Sequence, residues 1–272
     1  MKAIIIDRFG DANIFQEIGL PMPEVLANHV LIRVAATSVN PVDYKIRQGL
    51  VADIAPSFPA VLHGDVAGTI AAIGAGVDRF NIGDEVYACA GGVKGTSGAL
   101  AEYMLADVRS IAHKPKSLIM AAAAALPLVS ITAWEGLLDR AKVQPGQKVL
   151  VYGATGGVGH IGVQLAKWAG ATVYALVSSD RKAAIARRLG ADFTINYCDR
   201  SVEEFVAEHT NNRGFDVVFD TVGNDNLQNA FKAAKLNGTV VSIVSLSQQD
   251  LTLLHLSSMR LASSSNQLPD CV

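Results

Sequence analysis

The residues best suited to chemistry lie at 148–159, KVLVYGATGGVG, where Gly153, Gly156, Gly157 and Gly159 place four glycines within seven positions. Glycine has no Cβ, so such a turn lets backbone N–H groups approach a ligand closely. An apolar run, Val149 to Tyr152, precedes the turn, and Val158, Ile161, Leu165, Ala166 and Ala169 recur after it at helical spacing. A helix starting there favours an anion at its N-terminus, a pyrophosphate above all. Gly153, Thr155, Gly156, Gly157 and Val158 are therefore the candidate cradle for a dinucleotide. The pattern is GxxGGxG rather than GxGxxG, with Ala154 where the second glycine would be, and a tight strand-to-helix turn without a ligand would read the same way.

A second group of residues bears on which dinucleotide. Sites for NAD place Asp or Glu at the end of the next strand, on the ribose 2′-hydroxyl, whereas a 2′-phosphate requires a nearby cation instead. After Val177 the chain reads Ser178, Ser179, Asp180, Arg181, Lys182. Asp180 suits a helix cap equally well. Arg181, Lys182, Arg187 and Arg188 also describe a solvated helix face.

These residues need elements to position them. Strands are expected at 172–177, 193–196, 215–220 and 239–244, with helices near 182–189, 202–209 and 227–235 between them. That alternation predicts an α/β fold with a doubly wound parallel sheet, the glycine turn lying at the carboxyl end of its first strand. Residues 1–116 have a different texture, with short apolar runs at 3–6, 30–34 and 68–73 punctuated by glycine and proline, which predicts a mainly β domain. Two helix-like blocks within 118–137 are split by Pro127, and the domain boundary is placed near residue 120.

With 272 residues, half of them hydrophobic, the chain can bury the cores of two modest domains. A net charge of −2 gives no electrostatic reason to expect nucleic acid or an anionic membrane as partner. The apolar stretch 120–129 is too short to span a bilayer, and no export signal opens the sequence. Cys89, Cys198 and Cys271 are odd in number and far apart, which suits a reducing cytosol and predicts a cytoplasmic protein without a disulfide framework.

Six segments in one order, NPVDYKIRQG, FPAVLHGDVAGTI, VDRFNIGDEVYA, GALAEYM, LPLVSITAWEGL and GQKVLVYGATGGVGHIGVQLAKWAGA, resemble the medium-chain dehydrogenase/reductase superfamily. Within it the chain is similar to the zinc-independent quinone oxidoreductases related to zeta-crystallin. The resemblance implies a GroES-like β domain, 1–120, a Rossmann domain, 121–255, and NADPH bound in the cleft of the family fold. It also implies that Ser178, Lys182 and Tyr197 hold the adenosine 2′-phosphate, and that Thr132, Val244 and Ser245 lie near the nicotinamide. The zinc ligands of metal-dependent relatives are missing. Asn40 stands at a cysteine position and Gly64 at the histidine of the family's GHE triplet, so no metal is expected, although His63 and Asp65 could form a shifted site.

Without a Lewis acid, reduction is the easier direction, and an anionic oxygen left on the acceptor needs hydrogen bonds or a cation. Asn40 as an amide donor, Tyr44 as a proton donor and Lys45 as a cation are the candidates, with a Pro41-stiffened turn and a solvated Lys45 as the alternative. The expected acceptor is a quinone or an activated alkene. The alternatives are a zinc-type alcohol dehydrogenase, or an NADPH- or RNA-binding protein that has lost catalysis. After Leu254 the resemblance fails: residues 256–272 are rich in serine and predict a disordered tail. That reading makes the domain C-terminally truncated, leaves the fifth strand an exposed edge, and makes the homodimer contacts of a sixth strand doubtful.

Overall fold

A computed structural model of the chain describes residues 1–244 and 248–263, so Ser245 and Cys271 lie outside the described residues. It divides into two compact units, Met1–Leu128 and a second that begins at Val129, rather than near residue 120.

The first unit is built of strands β1 (Lys2–Ile6), β2 (Gln16–Gly19), β3 (His29–Thr37), β4 (Ala60–Val61), β5 (Asp65–Ile73), β6 (Glu85–Cys89), β7 (Tyr103–Asp107) and β8 (Ile111–His113). They form an antiparallel sheet in the order β7-β3-β5-β6-β8 and a small one in the order β2-β1-β4. Alternation explains the core: Val30 and Ile32 of β3, Val66 and Ile70 of β5, Val86 of β6 and Met104 of β7 point to one buried face. Helix α1 (Pro41–Arg47) forms where the chain reads Asn-Pro-Val-Asp. Proline at the first helical position costs no hydrogen bond, and the Asp43 carboxylate accepts the Asn40 backbone N–H at 2.7 Å. α2 (Met120–Ala124) and α3 (Pro127–Trp134) follow, Pro127 opening α3 as the separator of the two blocks.

The second unit has β9 (Lys148–Tyr152), α4 (Gly157–Trp168), β10 (Thr172–Val177), α5 (Asp180–Arg188), β11 (Phe193–Asn196), α6 (Val202–Thr210), β12 (Phe215–Asp220), α7 (Asn226–Ala233), β13 (Ala234–Ser242), α8 (Thr252–Leu256) and β14 (Arg260–Ser263). The strands pair in parallel in the doubly wound order β11-β10-β9-β12-β13-β14. The continuous apolar run of β9 is explained by burial on both faces. Val149 and Val151 pack with Val163 and Ala166 of α4, while Leu150 and Tyr152 pack with Phe205 of α6 and Phe231 of α7. Among the described residues no helix is long and apolar enough to cross a membrane.

The region after Leu254 departs from expectation. Residues 260–263 are not a disordered tail but a sixth strand, with Arg260, Leu261, Ala262 and Ser263 in parallel register with Thr239, Val240, Val241 and Ser242. Strand β13 is therefore not the edge of the sheet, and the doubt over a homodimer that rested on a missing sixth strand loses its premise. Composition misled because an edge strand draws its hydrogen bonds from the neighbouring backbone, whatever its side chains, and α8 supplies the crossover that a parallel pair needs. Met259 anchors the segment, 8% exposed in the core that also holds Phe231 and Val240. Met259→Ala is expected to cost about 2 to 3 kcal/mol in denaturant unfolding, while Leu256→Ala at an exposed position stays within about 0.5 kcal/mol. Equal, negligible effects would return the segment to a tail.

Candidate functional site

In the second unit the glycine turn has the geometry that the sequence demands. Gly153 has φ +61°, and Gly156 N–H closes the turn on the Gly153 carbonyl at 2.8 Å. A Cβ on Gly159 would lie 2.1 Å from that same carbonyl oxygen, so α4 can lie against the turn only with glycine there. Gly157 opens α4 and Val158 follows it, so the helix N-terminus stands directly behind the turn.

A pocket of about 400 Å³ lies against this turn, with Gly153, Thr155 and Gly156 on its lining. Ser178 and Lys182 from one segment and Tyr197 from another line the same pocket. They are brought together by the parallel pairing of β10 with β11, which sets Val177 beside Asn196 at the carboxyl ends of both strands. Lys182 Nζ donates to Ser178 Oγ at 2.8 Å. Asp180 is the first residue of α5, behind the cap Ser179, whose hydroxyl accepts the Lys182 N–H. A carboxylate there suits the helix dipole. The pocket thus presents a cation and hydroxyls at the end of β10. Tyr152, Val222 and Asn226, which the sequence did not single out, complete part of the lining. Val244 follows the last residues of β13 and packs against Gly223, at which a Cβ would meet it at 2.3 Å. Thr132 is buried on α3.

The first unit holds a buried polar cluster. Asp65 opens β5 with 0% of its surface exposed. Its carboxylate accepts from Ser38 Oγ at 2.8 Å, from Asn40 Nδ2 at 2.8 Å and from the Leu128 backbone N–H at 3.0 Å. Burial raises its pKa against those donors, which pull the other way. Asp43 is raised to about 6, mainly by burial and further by Asp65, against the lowering bond from the Asn40 N–H. The Cys89 thiol, buried beside both carboxyl groups, is pushed well above its ordinary value.

This cluster changes the standing of Asn40. The residue is 6% exposed, and its Nδ2 donates both to Asp65 and, at 3.2 Å, to Ser38 Oγ. The two amide hydrogens are committed, so Asn40 stands as the pin that holds the start of α1. One turn on, Tyr44 is 43% exposed and Lys45 is half-buried, and neither side chain has a hydrogen-bond or ion-pair partner among the described residues. Ser38 and Asp43 went unnoticed in the sequence, although N-P-V-D is itself a capping-box signature. Around His63 and Asp65, as elsewhere among the described residues, no group of three possible His, Cys, Asp or Glu ligands occurs. His63 instead sits at φ +72°, and burial lowers its pKa.

Comparison with known proteins follows the same division. Residues 26–116 match the family described as the alcohol dehydrogenase GroES-like domain, and residues 157–267 match the zinc-binding dehydrogenase family. The chain is 38% identical over 248 residues to a 2-methylene-furan-3-one reductase of Solanum lycopersicum, covering 89% of this chain and 61% of that one. It is 37% identical over 249 residues to a chloroplastic NADPH-dependent alkenal/one oxidoreductase of Arabidopsis thaliana, covering 89% and 62%. The chain therefore spans about three fifths of the length of these curated relatives. Among solved structures, a quinone oxidoreductase of Pseudomonas syringae superposes with TM-score 0.87 at 30% identity, covering 97% of this chain and 81% of that one. Two family matches in the expected order and a solved relative followed over nearly the whole chain make the assignment: it belongs to the medium-chain dehydrogenase/reductase superfamily.

Proposed function

We propose that the chain is an NADPH-dependent reductase of activated alkenes or quinones that works without zinc. The observation that carries this reading is the lining at the end of β10, where Lys182, Ser178 and Tyr197 stand in place of a ribose-binding carboxylate. The pocket fits such a coenzyme: a Cβ-intolerant turn backed by a helix N-terminus suits the pyrophosphate, and the Lys182 ammonium suits the 2′-phosphate. Backbone at Gly156, Gly157 and Val158 holds the former, with Thr132, Val244 and Ser245 assigned to the nicotinamide end. Bound there, NADPH would supply a hydride.

Reduction of a quinone or an α,β-unsaturated carbonyl leaves negative charge on the acceptor oxygen. Lys45 offers a cation and Tyr44 a proton donor, both without competing partners among the described residues. Asn40 acts through α1 rather than on the acceptor, because its amide is spent on Asp65 and Ser38. The donor set argues against zinc. Gly64 has no side chain to offer, an amide nitrogen is no zinc ligand, and the Asp65 carboxylate is already met by three donors. The activities named for the tomato and Arabidopsis relatives support an enone or alkenal as acceptor, and that of the bacterial structure a quinone. The free thiols of Cys89 and Cys198 suit a reducing compartment such as the cytosol.

Steady-state oxidation of NADPH and NADH against one quinone and one enone tests the reading. Lys182→Ala is expected to raise the KM for NADPH about tenfold while leaving NADH nearly unchanged, and chelators should leave the rate unaltered. Equal use of the two coenzymes by the wild type would sink the assignment of Lys182.

Asp43 gives a pH signature. Its folded pKa of about 6 lies above the unfolded value of 3.8, so the native state holds the proton more tightly. Stability from this group is then present in acid and is lost as pH rises from about 4 to about 6. Asp43→Asn keeps an acceptor for the Asn40 N–H but cannot ionise. Unfolding measured at pH 4 and at pH 7 should show the variant gaining on wild type as the pH rises, and parallel curves would refute the assignment.

A further inference from the structure

Strand β7 closes the five-stranded sheet of the first unit on one side, and among the described residues no strand lies beyond it. Strand β1 reaches this stretch of chain ahead of Tyr103, where Glu102 N–H donates to the Lys2 carbonyl at 3.0 Å. The register shows which backbone groups of β7 are left over. Val34 N–H donates to the Glu102 carbonyl at 2.9 Å and Val108 N–H to the Asn28 carbonyl at 3.0 Å, and between these bonds Ile32 faces Met104 and Val30 faces Ala106. Antiparallel bonding alternates, so Met104 and Ala106 turn their N–H and C=O groups toward β3, while those of Tyr103, Leu105 and Asp107 point to the free edge. None of the latter has a partner among the described residues. Sheets normally blunt such an edge with lysine, proline or a covering loop. Here it is open: a cavity of about 240 Å³ has Tyr103, Leu105 and Asp107 on its lining, together with Ser97 and with Leu26, which is 49% exposed.

This edge is complementary to itself. When β7 pairs antiparallel with β7 of a second copy about a two-fold axis at Leu105, Leu105 meets the partner's Leu105 and each Tyr103 stands opposite the partner's Asp107. Each of these residue pairs then exchanges two backbone hydrogen bonds. An axis at Asp107 would set two carboxylates face to face, and one at Tyr103 would carry Asp107 past the end of the partner strand. Arg109 holds the Asp107 carboxylate, Nη2 to Oδ2 at 2.8 Å, so the two bring no net charge into the contact. Leu26 adds apolar surface beside it. We infer that the β7 edge is a self-pairing surface, through which Tyr103, Leu105 and Asp107 join two copies of this chain into one continuous sheet. A two-fold contact satisfies the edge in both copies at once and leaves none of it open to further growth. It is a different edge from that offered by β14, which belongs to the other sheet.

Sedimentation equilibrium of the full chain tests the inference. The wild type is expected to dimerise, its apparent mass rising with concentration toward that of two chains. Leu105→Pro removes an N–H that faces away from β3, so the β3 ladder survives, but both central bonds of the contact are lost and the dimer should weaken about 10- to 100-fold. Leu105→Lys and Leu105→Glu keep the backbone and serve where the proline variant does not fold. Each alone should be monomeric, and an equimolar mixture of the two should recover dimers, because an axis at Leu105 sets the new charges directly against each other. Leu261→Lys, at an exposed position of β14, should leave the dimer in place. A wild type that stays monomeric, a dimer untouched by the Leu105 variants, a mixture that stays monomeric, or a dimer abolished by Leu261→Lys overturns the inference.

Discussion

A carboxylate without any exposed surface must be met by hydrogen-bond donors, and Asp65 imposes that requirement on everything around it. Ser38 and Asn40 reach it from the segment ahead of α1, the Leu128 N–H reaches it from the first turn of α3, and Asp65 itself starts β5. Three stretches far apart in sequence are thereby fixed to one pair of oxygen atoms. Removing a single donor would strand part of a buried charge, a loss of several kcal/mol, so the cluster survives as a unit or not at all. Its position decides what α1 presents. With Asn40 pinned inward and Asp43 folded back on the Asn40 backbone, Tyr44 and Lys45 are the groups of that helix left to face outward.

The same economy of partners separates the two units chemically. In the first, polar atoms are collected around Asp65 and met there, while the buried Nδ1 of His63 has no partner among the described residues. In the second, the Asn226 amide on the cavity beside the glycine turn has no partner among the described residues, and neither has the buried Tyr152 hydroxyl. Lys182, tethered to Ser178 alone among the described residues, remains able to exchange that bond for a stronger charge-assisted one.

Much of this was legible in the sequence, and for identifiable reasons. Strands β9, β10, β11 and β12 could be read to the residue or nearly so; in β9 and β10 burial on both faces leaves an almost uninterrupted apolar run with turns at either end. Ser178, Lys182 and Tyr197 converge as expected because parallel pairing places the carboxyl ends of neighbouring strands side by side. Strand β14 was not legible: two of its four residues are Arg and Ser, and its place depends on an edge that β13 offers rather than on its own pattern. For Asn40, the sequence could not show that Asp65, twenty-five positions on, would claim its amide. Tyr152 read simply as the last member of an apolar strand, since whether a tyrosine hydroxyl finds a partner is decided by tertiary neighbours alone. His63 adopts a left-handed backbone that glycine takes more easily, and nothing in its flanking residues announced it.

Cys89 draws one more consequence from the Asp65 cluster. An enzyme that handles electron-poor alkenes works among compounds that alkylate thiolates by conjugate addition, and any cysteine near its working surfaces is at risk. Burial, together with the carboxyl groups of Asp65 and Asp43, keeps Cys89 in its protonated, weakly nucleophilic form. The acid pair that positions α1 thus also shields the unit's own sulfur from self-inactivation by the class of acceptor proposed for it.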